Sequence, residues 1–167
     1  MGGRVIPLCG DSSVGKTSVA EQLQLQLTDP FLHVGLDHFF SMFPHHWKGH
    51  PRGPGPGFWY EDTIDPDGKP RAQIRHGDAG DRMLAGMRAA VNALLEVGND
   101  VIVDEMPINE SILPSWRQSL VAREQFWVKL TAPLTVLEAR EQGRAKGQKL
   151  GNAGTAPGLV DTDISGP

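Results

Sequence analysis

The chain has 167 residues, with 16 Lys and Arg against 20 Asp and Glu and a formal net charge of -4. This mild acidity argues against sequence-independent binding of nucleic acid, which needs many cations against the phosphates, and no apolar run approaches the roughly 18 residues of a transmembrane helix. The single cysteine, Cys9, excludes an internal disulfide and a cysteine-rich zinc site. The length favours one domain, and the start lacks the apolar stretch of a signal peptide, so we expect a cytoplasmic protein.

The first part of the chain alternates between strand and helix patterns. Residues 5–9 form a short apolar run before a glycine-rich turn, which predicts a buried strand. A helical pattern begins at Lys16 and stops at the Asp-Pro pair of residues 29–30. Residues 31–36 predict a second apolar strand, which ends at Asp37.

Residues 41–76 are predicted to be an irregular excursion rich in glycine and proline. Seven of the nine residues at 49–57 are Gly or Pro, which excludes a helix or an inner strand there. The histidines at 45, 46 and 50 lack the firm scaffold of a zinc site, so we expect no metal there. The aromatic side chains of this segment either line a pocket for a flat substrate, or they pack the loop onto the domain or are buried in an oligomer contact. They are Phe43, Trp47, Phe58, Trp59 and Tyr60.

Strand and helix patterns alternate again in the second half. An amphipathic helix, with apolar residues spaced over 83–95, ends near Gly98. The later segments predict, in turn, a strand, a helix, a strand, a helix and a short strand at residues 101–103, 114–123, 126–130, 133–142 and 159–160. The strands are continuous apolar runs, typical of a parallel sheet covered by helices on both faces. Because ligands bind at the carboxyl ends of such strands, we expect Gly10, Asp37 and Asp104 on one rim.

Residues 10–17 match the phosphate-binding pattern G-x-x-x-x-G-K-[ST], the P-loop or Walker A motif, at every fixed position. The motif lies between a predicted strand and a predicted helix, which is its required context; an accidental glycine-rich turn is the alternative. The glycines let successive N–H groups point at anionic oxygens, and the helix N-terminus adds positive charge. Lys16 would reach the β- and γ-phosphates of ATP, and Thr17 would ligate Mg²⁺. The expected nucleotide-binding residues are Gly10, Asp11, Ser12, Ser13, Val14, Gly15, Lys16, Thr17 and Ser18.

Two acids follow the strand predicted at residues 101–103. A carboxylate at Asp104, leaving a buried strand beside the phosphate loop, is placed like the Walker B acid that helps to hold Mg²⁺. The alternative is a solvated turn residue. Glu105 either orients water or substrate, or is an ordinary turn acid.

Asp37 is the candidate general base. At the end of the second strand it would face the γ-phosphate from the acceptor side, where a carboxylate can accept a proton from an attacking hydroxyl. The alternative is a helix N-cap for the segment at residues 39–40. His38 competes less well as the base, because an aspartate is reliably charged at neutral pH whereas a histidine is only partly charged.

Arg140 and Arg144 are candidate lid residues. They lie four residues apart where a predicted helix runs into a glycine-rich loop, so they align on one face if the helix continues. Mobile arginines there would close over the phosphates and stabilise the transferred charge. The alternative is a solvated, charged helix end.

Taken together, these motifs resemble the chloramphenicol phosphotransferase-like family of P-loop kinases, which phosphorylate a small-molecule hydroxyl with ATP. The resemblance covers about residues 4–146 and depends on the segments at 10–17, 35–37, 98–105, 126–130 and 137–141. It implies an α/β fold, the P-loop NTPase three-layer α/β/α fold with a mostly parallel five-stranded sheet, as one domain over residues 1–167. It also implies a substrate loop at about 41–76 and a lid at about 138–156.

The resemblance implies a role for each candidate residue as well. Asp37 would be the base, Lys16 and Thr17 would bind ATP and Mg²⁺, and Arg140 and Arg144 would sit in the lid. The partner would be a small molecule with a hydroxyl group, chloramphenicol-like or a related metabolite. We expect neither a nucleic-acid partner nor a membrane, and a homo-oligomer stays open.

Two further functions remain open at this stage. A nucleoside, sugar or nucleotide-sugar kinase would use the same phosphate machinery, because the acceptor contacts lie in the irregular loop. A non-catalytic nucleotide-binding protein is the other alternative. The guanine-reading pattern Asn-Lys-x-Asp is absent from the sequence, which argues against a GTPase.

Overall fold

The computed structural model describes residues 2–48, 53–64, 68 and 70–143. The strands in these ranges are β1 (Arg4–Gly10), β2 (Phe31–Gly35), β3 (Phe58–Ile64), β4 (Pro70–His76), β5 (Asp100–Glu105), β6 (Glu124–Gln125) and β7 (Val128–Leu130). The helices are α1 (Lys16–Gln26), α2 (Leu36–Ser41), α3 (Asp78–Glu96), α4 (Ile112–Ser119) and α5 (Leu134–Gln142), with a short 3-10 helix at His45–Trp47. The predicted α/β class is therefore confirmed.

The central sheet is parallel. Its order is β2-β5-β1, and both β6 and β7 pair with the other edge of β1. Leu8 lies opposite Asp104 in the β1–β5 pairing, and Gly35 lies opposite Asp104 in the β2–β5 pairing. The carboxyl ends of these three strands therefore meet at one rim, where an α/β sheet binds its ligands.

Helices cover both faces of this sheet. Ile6 and Ile102 pack on one face against Ala20 of α1. Val101, whose side chain points the other way, packs on the opposite face with Met87 and the rest of the apolar stripe of α3. The result is the three-layer arrangement that the continuous apolar strands predicted. None of the helices in the described ranges is long and apolar enough to cross a membrane.

The excursion at 41–76 contains regular structure that the sequence interpretation missed. β3 and β4 form an antiparallel hairpin in which Phe58 pairs with His76 and Ile64 pairs with Pro70. The prediction of an irregular loop was wrong for these strands, because residues 58–64 and 71–76 contain no glycine or proline, which cluster at 49–57 and 66–70. An antiparallel hairpin with one face in solvent can carry charged residues on that face. These charged residues obscured the strand pattern in the sequence.

Several predicted boundaries shift in the structure. The second strand ends at Gly35, so Asp37 lies in the first turn of α2. The predicted fourth strand is split, because β6 and β7 share one edge of β1 on either side of residues 126–127. The predicted strand at 159–160 lies outside the described residues, as does most of the predicted lid.

Candidate active site

A cavity of about 720 Å³ opens at the rim where β1, β2 and β5 end. Its phosphate side is formed by the P-loop from Ser12 to Ser18. Its other sides are formed by residues of β2, α2, the hairpin, β5 and α5: His33, Gly35, Leu36, Asp37, His38, Phe40, Phe58, Tyr60, Ile74, Asp104, Met106 and Arg140. The structure thus brings Asp37 and Asp104 to one cavity, as predicted.

The P-loop curls tightly between β1 and α1. Gly15, just before the first turn of α1, has φ of 104°, a conformation that favours glycine. At Gly10 there is no space for a side chain, because a Cβ there would lie 2.7 Å from the carbonyl oxygen of Leu130. Ser13 also has a positive φ of 65°, and its buried Oγ makes no hydrogen bond within the described part of the chain. This curl is the backbone shape that the motif predicted.

Lys16 lies along the inside of the loop. Its Nζ donates hydrogen bonds to the carbonyl oxygens of Gly10 at 3.0 Å and Asp11 at 2.8 Å, and the residue is 9% exposed. Burial lowers the pKa of the ammonium, and nearby carboxylates, including those of Asp104 and Asp37, partly oppose the shift. A desolvated cation in this position attracts anionic oxygens more strongly than one in water.

Thr17 and Asp104 meet across the rim. The Thr17 hydroxyl donates to Oδ2 of Asp104 at 2.7 Å. Burial raises the pKa of Asp104, but the neighbouring His33 ring, the charge of Lys16 and the Thr17 hydroxyl together bring it below its ordinary value. Asp104 is therefore an ionised carboxylate, and the alternative of a solvated turn residue is wrong because its side chain is only 13% exposed.

His33 is a site residue that the sequence interpretation missed. It lies on β2, and its Nε2 is 3.7 Å from Oδ2 of Asp104. That nitrogen is buried and makes no hydrogen bond among the described residues. The available signal was a polar residue inside an apolar strand two positions before Gly35, the strand's last residue.

Asp37 is exposed and lines the cavity from the first turn of α2. The N-cap position of α2 is Gly35, so the alternative that Asp37 is a helix N-cap is wrong. The N–H of Gly35 donates to Nδ1 of His38 at 3.0 Å. One ring nitrogen of His38 is thus already engaged by the backbone, whereas the Asp37 carboxylate faces the cavity.

Arg140 reaches the P-loop from α5. Its Nη1 donates to the carbonyl oxygen of Val14 at 2.9 Å and lies 3.4 Å from that of Ser13. The arginine is exposed, and its guanidinium contacts the edge of the cradle, which is the position that the lid interpretation requires. Arg144 lies outside the described residues, so its predicted role stays a prediction.

Four of the five aromatic residues singled out in the sequence, all except Trp59, separate into two groups. Phe58 and Tyr60 line the cavity. Phe43 packs against Phe58, with ring centroids 5.7 Å apart, and against Trp47 at 6.0 Å. The two interpretations of this set are therefore both correct in part: some members wall the pocket, and others hold the wall in place.

Glu105 does neither of the things predicted for it. It is 2% exposed, and its Oε2 accepts a hydrogen bond of 2.6 Å from Nε1 of Trp116. Burial raises the pKa of this carboxyl to about 7. Cys9 on the neighbouring strand is a buried core thiol, and burial raises its pKa to about 12. Neither group is among the residues that line the cavity.

The site suits a magnesium nucleotide. A P-loop curl with a buried lysine receives phosphate oxygens through its N–H groups and ammonium. Thr17 and Asp104 offer a hydroxyl and a carboxylate, the oxygen ligands that Mg²⁺ uses when substrate phosphates supply others. These features define the class: an α/β protein with a P-loop nucleotide site at the carboxyl rim of a parallel sheet.

Comparisons with known proteins agree with this class. A family model described as chloramphenicol phosphotransferase-like protein matches residues 3–163, and the chain belongs to that family. Two curated proteins from Mycobacterium tuberculosis, strains CDC 1551 / Oshkosh and H37Rv, are each named "Putative O-phosphotransferase". Each is 28% identical over 104 residues, which cover 62% of this chain and 46% of the relative. The matched region thus spans less than half the length of these relatives.

Solved structures share the fold at low sequence identity. An unliganded sugar kinase from Janibacter sp. HTCC2649 has a TM-score of 0.65 at 16% identity, over 99% of this chain and 83% of that one. A gluconokinase from Sinorhizobium meliloti 1021 has a TM-score of 0.56 at 17% identity, over 99% and 84% of the two chains. These likenesses support the P-loop kinase fold and say nothing of the substrate.

Proposed function

We propose that this protein is an ATP-dependent O-phosphotransferase that moves the γ-phosphoryl group of ATP to a hydroxyl of a small molecule. The observation that supports it most directly is that Asp37 faces the same cavity as Lys16 and the Thr17–Asp104 pair. A base and a phosphate cradle in one cavity are what transfer to a hydroxyl requires. The family to which the chain belongs supports the same reaction class.

Each residue has a distinct role in this proposal. Asp37 accepts the proton of the acceptor hydroxyl as its oxygen forms a bond to the γ-phosphorus, and the bond from that phosphorus to the β–γ bridging oxygen breaks to leave ADP. Lys16 and Arg140 supply positive charge next to the transferred group, which is where charge stabilisation contributes most to the rate. Thr17 and Asp104 hold the metal, which when bound neutralises phosphate charge. Arg144 remains a predicted member of the same lid.

The acceptor wall favours a small and partly apolar molecule. Phe40, Phe58 and Ile74 present apolar surface to the cavity, and Tyr60 adds an aromatic ring. Such a wall binds flat or apolar groups, while a few polar groups fix their orientation. We therefore propose a chloramphenicol-like antibiotic or a related hydroxylated metabolite as the acceptor, in line with the family's description.

The test is a phosphorylation screen of the full chain with ATP and Mg²⁺. Phenicols, other hydroxylated antibiotics, nucleosides and sugars are offered singly, and products are detected as a mass increase of one phosphoryl group. A phenicol product that disappears with Asp37→Asn supports the proposal. Products formed only from sugars or nucleosides would show that the acceptor belongs to one of those classes and is not a phenicol. Slow ATP hydrolysis with no product from any acceptor would indicate a non-catalytic nucleotide-binding protein.

A further inference from the structure

Two side chains that do not line the cavity join two elements that do, the β3–β4 hairpin and α5. We propose that Arg71 and Glu138 are positioning residues that couple the acceptor wall to the phosphate loop. The inference rests on the proposed function, because it assigns both residues to the same site. Arg71 lies on β4 of the hairpin, and Glu138 lies on α5, 67 residues along the chain. The guanidinium Nη2 of Arg71 donates to Oε1 of Glu138 at 2.9 Å.

This ion pair is shielded from water. The Arg71 side chain is 11% exposed and the Glu138 side chain is 29% exposed. Fully exposed ion pairs contribute little to stability, because water screens them and two long side chains must be ordered. A shielded guanidinium–carboxylate pair is held more firmly by its charge-assisted hydrogen bond.

At one end of the pair, α5 is fixed to the phosphate loop. Leu137 packs against Val14 of the loop in a small apolar cluster, and Arg140 donates to the Val14 carbonyl oxygen. Glu138 lies between these two contacts in sequence. A movement of the phosphate loop when it binds phosphates therefore displaces the helix turn that carries Leu137 and Arg140, and Glu138 moves with that turn.

At the other end, the hairpin belongs to a different apolar cluster. Phe58 packs with Leu84 and Met87 of α3, and it lines the cavity together with Ile74 of β4. The hairpin thus packs on α3, whereas α5 packs on the phosphate loop. The Arg71–Glu138 pair joins the hairpin to α5, so it carries coupling between nucleotide and acceptor. Such coupling is reciprocal, since each ligand then changes the affinity for the other.

Hydrogen exchange with and without a non-hydrolysable ATP analogue and Mg²⁺ tests this coupling without an acceptor. In the wild-type chain the analogue should slow amide exchange in residues 10–18 and also, by at least about fivefold, in β3 and β4. Arg71→Met and Glu138→Gln should each keep the slowing at 10–18 and lose it in the hairpin. The charge swap Arg71→Glu with Glu138→Arg should restore the hairpin response, which a purely structural role of either residue would not produce.

The pair Glu61–Arg75 is the matched control. It joins β3 to β4 at 2.7 Å within the hairpin and does not reach α5, so Glu61→Gln with Arg75→Met should leave the response unchanged. Slowing at 10–18 with no change in the wild-type hairpin would overturn the coupling and leave the proposed function intact. No slowing anywhere in the wild-type chain would overturn both. Once the screen has identified an acceptor that the protein phosphorylates, Glu138→Gln should raise the KM for that acceptor severalfold while the Kd for the nucleotide stays constant.

Discussion

The hydroxyl of Thr17 and Oδ2 of Asp104 are 2.7 Å apart, although 87 residues separate them in the chain. One opens α1 directly after the P-loop, and the other lies at the end of β5, the neighbour of β1. Parallel pairing of these strands delivers both oxygens to one point of the rim. Three predictions concern this site and a fourth concerns the buried Glu105 next to it in sequence, and each can be tested separately.

Loss of the Asp104 carboxylate should weaken metal use. Asp104→Asn keeps the shape but removes the charge, so we expect the Mg²⁺ concentration for half-maximal activity to rise at least about tenfold. Titration of activity with Mg²⁺ at saturating ATP measures it. Asp100→Asn, at the other end of the same strand where it pairs with Arg4, should lower stability without changing the Mg²⁺ requirement. An equal rise in both variants would contradict a metal role for Asp104.

Loss of the P-loop cation should reduce both binding and transfer. Lys16→Met removes the buried ammonium at the cradle, and we expect kcat to fall about 100- to 1,000-fold, in the range found for lost electrostatic stabilisers. Steady-state kinetics and calorimetry with ATP and Mg²⁺ measure the two effects. Lys48→Met is the control, since Lys48 does not line the cavity. Full activity in Lys16→Met would remove the P-loop from the mechanism.

Loss of the proposed base should stop transfer and spare nucleotide binding. Asp37→Asn keeps the size of the side chain but cannot accept the proton, so kcat should drop about 100- to 10,000-fold. The Kd for ATP should change little. Asp78→Asn is a matched control, because Asp78 is also an acid in the first turn of a helix, α3, but does not line the cavity. Normal transfer by Asp37→Asn would show that another group takes the proton.

Stability should depend on pH through Glu105. Burial raises its pKa from 4.5 to about 7 in the folded chain, so the folded state binds the proton more tightly than the unfolded state. Its contribution to stability is complete below pH 4.5 and is lost as pH rises through about 7. The loss is on the order of 3 kcal/mol.

Glu105→Gln removes that titration and keeps an acceptor for Trp116. The stability of the variant relative to wild type should therefore rise between pH 4.5 and 7 and then level off. Urea unfolding of the metal-free protein in EDTA measures it, with the exposed residue Glu110 substituted to Gln as the control. A difference that stays constant over this pH range would show that Glu105 is already ionised in the folded state at low pH.

Most of the phosphate side of the site could be predicted from the sequence. The P-loop is a local pattern, and its chemistry depends on residues adjacent in the chain, from Gly10 to Thr17. Asp104 was predicted because it follows a run of apolar strand residues, and the rim geometry of parallel sheets then places it. The spacing of apolar residues and the positions of Gly and Pro also predicted α1, α3 and α5 to within a few residues. The exception is the start of α3, which lies five residues earlier than predicted, at Asp78.

The acceptor side could not be predicted in the same way. The β3–β4 hairpin has charged residues on its solvated face, and its strands follow a glycine- and proline-rich segment that suggested an irregular loop. The proximity of His33 to Asp104 depends on the pairing of β2 with β5, and burial of Glu105 depends on Trp116 of α4. Such contacts join distant segments, and no local pattern signals them.

The sheet class, the phosphate cradle and the family follow from the sequence alone, because each depends on short-range spacing or on a motif read directly from the chain. The tertiary structure was needed to show which elements present the groups that face the cradle: a helix turn carries Asp37, a hairpin carries Phe58 and Tyr60, and α5 carries Arg140. It also decided that Arg71 meets Glu138. The physical reason is that those relations arise from the packing of separate elements, whose relative positions depend on apolar burial across the whole chain.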